Sequence, residues 1–252
     1  MNHSSDKTDK TINNWFYLLT APNNGYFNMA CDSYLLNSFI EETISNPLLR
    51  LYSWNQETLS IGMNQNINYN NFENSYPIVK RLSGGQAVLH HKPENELTYS
   101  VFLKSSSKAK TIYYEIGGVL LLFLKKYGLI ANFGDSNKNY KSEFDCFMSK
   151  TPADIVINDI KIIGSAQYRK GIFIMQHGAI KLDLIRQLTG FNIQRDQAIT
   201  DLKRAFQVQL NINFTDYCLS SKDHERIELT ANTYKSDIYT NYKNTNGVKV
   251  HC

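Results

Sequence analysis

The chain has 252 residues, 42% of them hydrophobic, and a formal net charge of +4. A domain of this length buries roughly 70–75% of the surface its unfolded chain exposes, so neither a disulfide nor a metal is needed to hold a core, and a second large domain is not expected. Lysines and arginines are scattered among the acids rather than gathered into a nucleic-acid footprint, and the longest apolar run, Val119 to Leu124, is far short of the ~20 residues of a membrane span.

Residues 1–14 are polar and charged without an apolar segment, so they read as a flexible leader ahead of one domain over 15–252. With no secretion signal the chain is expected in the cytoplasm, its thiols reduced. A helix is expected from Asn28, which can cap it, through Met29, Leu35, Leu36, Phe39 and Ile40 to the stop at Pro47. Short strands follow over Leu49–Trp54, Thr58–Gly62, Pro77–Arg81, Ala87–Leu89 and Leu97–Phe102. A second helix is expected from about Ile112 to Tyr127, with Gly128 placed to end it. Four more strands, Asp154–Ile157, Ile160–Ile163, Ile172–Gln176 and Ala179–Leu182, are mostly dense in β-branched residues. The tail is helix-like over Asp196–Leu210 and Arg226–Tyr234. Helices and strands interleave without a βαβ period, which favours an α+β domain on a mixed or antiparallel sheet packed with helices.

The four cysteines, Cys31, Cys146, Cys218 and Cys252, form no CxxC pair and no Cys/His cluster at metal-ligand spacing, so no metal is expected. Cys31 falls inside the first helix, and Cys218 and Cys252 lie outside any motif; all three read as small hydrophobes.

Chemistry concentrates in two blocks. The first is Lys80-Arg81-Leu-Ser83-Gly84-Gly85-Gln86-Ala-Val-Leu-His90, followed by Leu97-Thr-Tyr-Ser100. Glycines admit positive φ and remove the Cβ, so a ligand can approach the backbone N–H groups closely. A Gly-Gly turn alone is ordinarily just a hairpin; the basic pair before it and the histidine after it set this one apart. The second block is Lys161-Ile-Ile-Gly164-Ser165-Ala166-Gln167, leading into Gln176-His177-Gly178. Most lone lysines at a strand end are solvated. One followed by an apolar and small-residue stretch can be desolvated and donate to a carbonyl oxygen as charge develops there.

Together these blocks resemble the lipoate-protein ligase and octanoyltransferase superfamily, in which the first reads Arg-Arg-x-(Ser/Thr)-Gly-Gly-x-Ala-Val-x-His and lines the acyl and headgroup pocket. The resemblance runs from about Asn28 to Tyr234 and implies a catalytic domain like those of class II synthetases and biotin and lipoate ligases. It implies that Arg81, Ser83, Gly84, Gly85, Gln86 and His90 bind substrate, and that Gly164, Ser165 and Ala166 keep a wall thin enough for an acyl chain. Lys161 is implied as the donor to the reacting carbonyl, and His177 as pocket-lining more than catalytic. Lys80 stands where the family has its first Arg, and Gln86 where ATP-using ligases usually carry a third Gly. The Asp145-Cys146-Phe147 context matches the Cys-Phe pair of the cysteine-dependent octanoyltransferases, which makes Cys146 the implied nucleophile.

The expected reaction moves an octanoyl group from an octanoyl acyl-carrier protein onto Cys146, then to the lysine of a lipoyl-domain protein such as the glycine-cleavage H protein, with no cofactor, nucleic acid or membrane involved. A thioester conserves acyl activation for the later amine, as a serine ester does not. The competing readings are an ATP-dependent lipoate ligase, an amidotransferase between lipoyl domains and, least favoured, a non-catalytic lipoyl-domain binder. Biotin ligase is disfavoured because its Gly-Arg-Gly-Arg adenylate loop has no match.

Overall fold

A computed structural model describes residues 13–65, 76–134 and 153–246, with side chains as far as residue 236. The first half runs β1 (Asn13–Leu19), α1 (Gly25–Ile40), β2 (Leu48–Tyr52), β3 (Thr58–Ile61), β4 (Ile78–Lys80), β5 (Val88–His90), β6 (Glu96–Lys104) and α2 (Ala109–Lys125). The second half adds β7 (Asn132–Phe133), β8 (Ile155–Ile157), β9 (Ile160–Lys170), β10 (Phe173–Lys181), α3 (Leu182–Thr189), α4 (Arg195–Leu210), β11 (Ile212–Asp216) and α5 (Ser221–Asn246). Among the described residues no helix is long and apolar enough to cross a membrane.

The main sheet has the order β11-β1-β2-β6-β10-β9-β8-β7, and a small second sheet has the order β4-β3-β5. β1 runs parallel to both β11 and β2, while β2, β6, β10, β9, β8 and β7 pair antiparallel, so the sheet is mixed and the domain α+β as expected. One face of the sheet closes over α2, α3 and α4 through residues such as Leu49, Leu51, Leu97, Tyr99, Val101, Phe123 and Phe206. The other meets α1 and α5 through Leu18, Leu48, Phe102, Met175, Leu35, Phe39 and Ile227.

Strand β6 shows how this layering makes a site. It is buried along its length as far as Leu103, and its alternate residues divide by chemistry. Leu97, Tyr99, Val101 and Leu103 enter the α2-side core, whereas Glu96, Thr98 and Ser100 point the other way and are equally buried. Registers to the neighbouring strands align these polar positions in rows: Arg50, Ser100 and His177 in one, Tyr52, Thr98 and Ala179 in the next, Glu96 and Lys181 in a third. Buried polar atoms must find partners, and adjacent strands deliver them.

Several sequence expectations are corrected. The first helix starts at Gly25, capped by the Asn24 side chain accepting from the Phe27 N–H at 2.9 Å. Asn28 lies inside it, fully buried, its amide donating to the Asn23 and Ser53 carbonyls. β1 takes in Asn13 and Asn14, the end of the stretch read as a leader. β10 is one strand, where two were expected on either side of His177-Gly178. Its glycine serves close packing: a Cβ at Gly178 would sit 2.5 Å from the Gly164 carbonyl oxygen and 2.7 Å from the Tyr99 ring. β1, β7, α3 and β11 were not anticipated.

Candidate active site

Between the polar face of β6, β10 and β9 and the small sheet lies a cavity of about 570 Å³. Its size falls within the roughly 300–1,000 Å³ typical of small-molecule sites. The apolar part of its wall includes Met29, Tyr52, Trp54, Val88 and Ala179. β8 pairs with β9 only as far as Ile163, and beyond that point the lining comes from both faces of β9. Gly164 and Ala166 line it on one side, Ser165 and Gln167 on the other, where Lys110, Tyr113 and Tyr114 of α2 complete the wall.

Lys161 is placed by a tight hairpin. Asn158 and Asp159 both adopt positive φ, 47° and 64°, the backbone of a two-residue turn matched to strand twist. A register shift at Ile155/Val156 follows. Lys161, 3% exposed, thereby faces the cavity, and its ammonium lies 3.0 Å from Asp154 Oδ2. The other Asp154 oxygen accepts from the Ser165 N–H at 3.4 Å. Asp154 gives the lysine a fixed direction, a partner that sequence spacing did not reveal.

The glycine loop is held from behind. The Arg81 guanidinium donates to the Ser60 carbonyl at 3.0 Å, to the Gly84 carbonyl at 2.9 Å and to the Gln86 carbonyl at 2.7 Å. Gly85 has φ 94°, and a Cβ on the facing Gly62 would stand 2.0 Å from the Gly85 carbonyl oxygen. Both positions therefore require glycine. Arg81 thus shapes this loop while also lining the cavity.

Two histidine-centred arrays lie beneath. In the first, Ser60 Oγ is 2.9 Å from His90 Nε2, His90 Nδ1 is 2.6 Å from Glu96 Oε1, and Lys181 Nζ is 2.6 Å from Glu96 Oε2. The His90 ring stacks on Trp54 at 3.9 Å between centroids. Burial, with Lys181 and Arg81 nearby, pushes His90 below its ordinary 6.5 in spite of Glu96. Burial raises the Glu96 carboxyl, but Lys181 and His90 outweigh it and hold the group at about 2. At neutral pH these directions assign a carboxylate and a neutral imidazole, with Nδ1–H donating to Glu96 and Nε2 accepting from Ser60.

In the second array, Ser83 Oγ is 2.6 Å from His177 Nε2, while His177 Nδ1 is 3.7 Å from Asp32 Oδ2, beyond hydrogen-bond reach. Asp32 is committed elsewhere: Arg50 donates to it at 2.6 Å and Ser100 at 2.8 Å. Burial raises the Asp32 carboxyl, and Arg50 and His177 bring it below the ordinary carboxylate value.

Of the residues singled out from sequence, Arg81, Gly84, Gly85, His90, Lys161, Gly164, Ser165, Ala166 and His177 line the cavity. Ser83 is buried against His177 behind it, and Gln86 does not reach it. Cys146 lies outside the described residues. Sequence reasoning missed Glu96, Lys181, Asp32, Arg50, Asp154 and Ser60. The available signal was charge set within apolar strands, as in Leu49-Arg50-Leu51.

An apolar slot floored by buried charge, with a lysine at its wall, has the make-up of a small-molecule site. The fold agrees with solved lipoate-protein ligases: lipoate-protein ligase A bound with ATP superposes with a TM-score of 0.70 at 21% identity, covering 87% of this chain and 94% of that one. The bipartite lipoate protein ligase of Thermoplasma acidophilum does so with a TM-score of 0.63 at 18% identity, covering 88% and 92%. The model of the lipoyl protein ligase A/B catalytic domain matches residues 24–212, and the chain belongs to that family. Among curated relatives, the octanoyltransferase LipM of Staphylococcus epidermidis is 30% identical, covering 89% of this chain and 97% of its own. That of Bacillus subtilis is 31% identical, covering 91% and 98%.

Proposed function

We propose that this protein carries an octanoyl group from an octanoyl acyl-carrier protein to the lysine of a lipoyl domain, through a thioester on Cys146, in the cytoplasm. That it is an octanoyltransferase follows from relatives of that name matching nearly its whole length. The relay through Cys146 and the two protein partners are our reading. The observation that carries it is the Lys161 ammonium, buried, set by Asp154 and facing an acyl-sized cavity. A cation fixed in advance in a dry site stabilises the oxyanion of acyl transfer far better than one in water.

Covalent reach supports the nucleophile. Cys146 precedes Ala153, a residue of the cavity wall, by seven positions, and seven residues extend at most ~25 Å. Cys146 thiolate attacks the donor thioester, Lys161 holds the oxyanion, and the carrier thiol departs. The acceptor amine then takes the acyl group as an amide. Lys161→Met should slow acyl-enzyme formation by roughly 100-fold or more.

The decisive experiment mixes the protein with octanoyl acyl-carrier protein, without ATP, and weighs it intact beside Cys146→Ala. One octanoyl adduct on wild type, absent from the variant and passed to apo glycine-cleavage H protein, supports the reading. Acylation that requires ATP and free octanoate overturns it.

A further inference from the structure

Amide formation poses a proton problem that Cys146 and Lys161 do not solve. An acceptor lysine arrives as an ammonium and ends as an amide N–H, so two protons must leave its nitrogen. The sulfur of the broken thioester can keep one. Among the described residues, His90 is the cavity-lining histidine with both ring nitrogens within hydrogen-bond reach of a partner.

We propose that Ser60 and His90 take the other proton, with Glu96 holding the imidazolium that results. This rests on the acyl-transfer reading above. In the step, the ammonium first gives one proton to Ser60 Oγ as Ser60 gives its own to His90 Nε2. The freed lone pair then bonds to the acyl carbon, the C–S bond breaks with its electron pair staying on sulfur, and sulfur takes the second proton from nitrogen; the imidazolium later returns its proton to water.

Each link is oriented for this direction. Arg81 Nη1 donates to Ser60 Oγ at 3.2 Å, which leaves the hydroxyl hydrogen for His90 Nε2. Glu96 accepts from His90 on one oxygen and from Lys181 on the other, so it stays ionised and ready to pair with an imidazolium. Because burial keeps His90 neutral near pH 7, its acceptor nitrogen is open when the amine arrives. Lys181 and Arg81 face it as cations, Glu96 as the anion, and Trp54 covers its ring.

The same geometry invites comparison with a nucleophilic serine triad. The backbone setting argues against that use: Ser60 sits within the regular strand β3. A serine nucleophile of an α/β-hydrolase stands instead on a sharp turn with its oxygen presented to substrate.

The test separates the two half-reactions. S-octanoyl enzyme is prepared from octanoyl acyl-carrier protein, apo glycine-cleavage H protein is added, and both masses are followed through a single turnover. Ser60→Ala and His90→Gln, their folding checked by circular dichroism, should slow transfer roughly 100-fold more than they slow loading. Wild-type transfer should fall with acid as His90 protonates below 6.5, and the His90→Gln profile should lose that limb. Wild-type transfer by either variant, parallel loss of loading and transfer, or an octanoyl ester on Ser60 overturns the proposal. Absence of any adduct on wild-type Cys146 overturns the thioester reading itself, a separate failure.

Discussion

The Ser60–His90–Glu96–Lys181 and Ser83–His177–Asp32–Arg50 arrays use the same four kinds of group, yet they are built for different work. In the first every link is within 3 Å, and the serine and histidine both reach the cavity. In the second the serine is sealed behind the wall, and the histidine stands 3.7 Å from its acid. There Asp32 pairs directly with Arg50 at 2.6 Å, and its histidine stands farther off. A hydroxyl, an imidazole, an acid and a cation do not make a proton path. What differs is the distance from histidine to acid, 2.6 Å for His90–Glu96 against 3.7 Å for His177–Asp32.

Four experiments press on this contrast. Arg50→Met leaves Asp32 buried without its principal partner and should cost about 3–5 kcal/mol, read as a lower urea midpoint. Lys181→Met should cost less, about 2–4 kcal/mol at neutral pH, because His90 still pairs with Glu96. The Glu96 contribution has a defined pH window: its folded value of about 2 lies below the ordinary 4.5, so its stabilisation is full above 4.5 and is lost as pH falls toward 2. Stability curves of wild type and Lys181→Met should therefore converge with acid, and curves that stay parallel would remove Lys181 from that role. Ser83→Ala deletes one buried hydrogen bond and should cost about 1 kcal/mol while transfer stays near wild type. Smallest of all, His177→Gln should leave the acidic limb of the transfer profile in place; loss of that limb would merge the two arrays into one function.

How much of this was legible depends on sequence distance. The Ile- and Val-rich strands and the long apolar helix announced themselves, and the two motif blocks named most of the cavity wall. β1 hid behind its polar opening, Asn13-Asn14, and β11 is a half-exposed edge strand whose partner in β1 lies 199 positions away. Asn28 misled because a mid-helix asparagine resembles a cap until its amide is seen bridging Asn23 and Ser53. The ion pairs were out of reach for a plainer reason. Glu96 and Lys181 are 85 positions apart and Arg50 and Asp32 18 apart, and strand register or helix placement, not local pattern, brings them together.

The Gly62–Gly85 contact divides the cavity wall into two kinds of material. Where a carbonyl oxygen would stand 2.0 Å from any added Cβ, the wall is backbone and tolerates no redesign. At Met29, Val88 and Ala179 it is side chain, and its shape can be edited one methyl at a time. Those three positions can be reshaped while the glycine loop stays a fixed chassis.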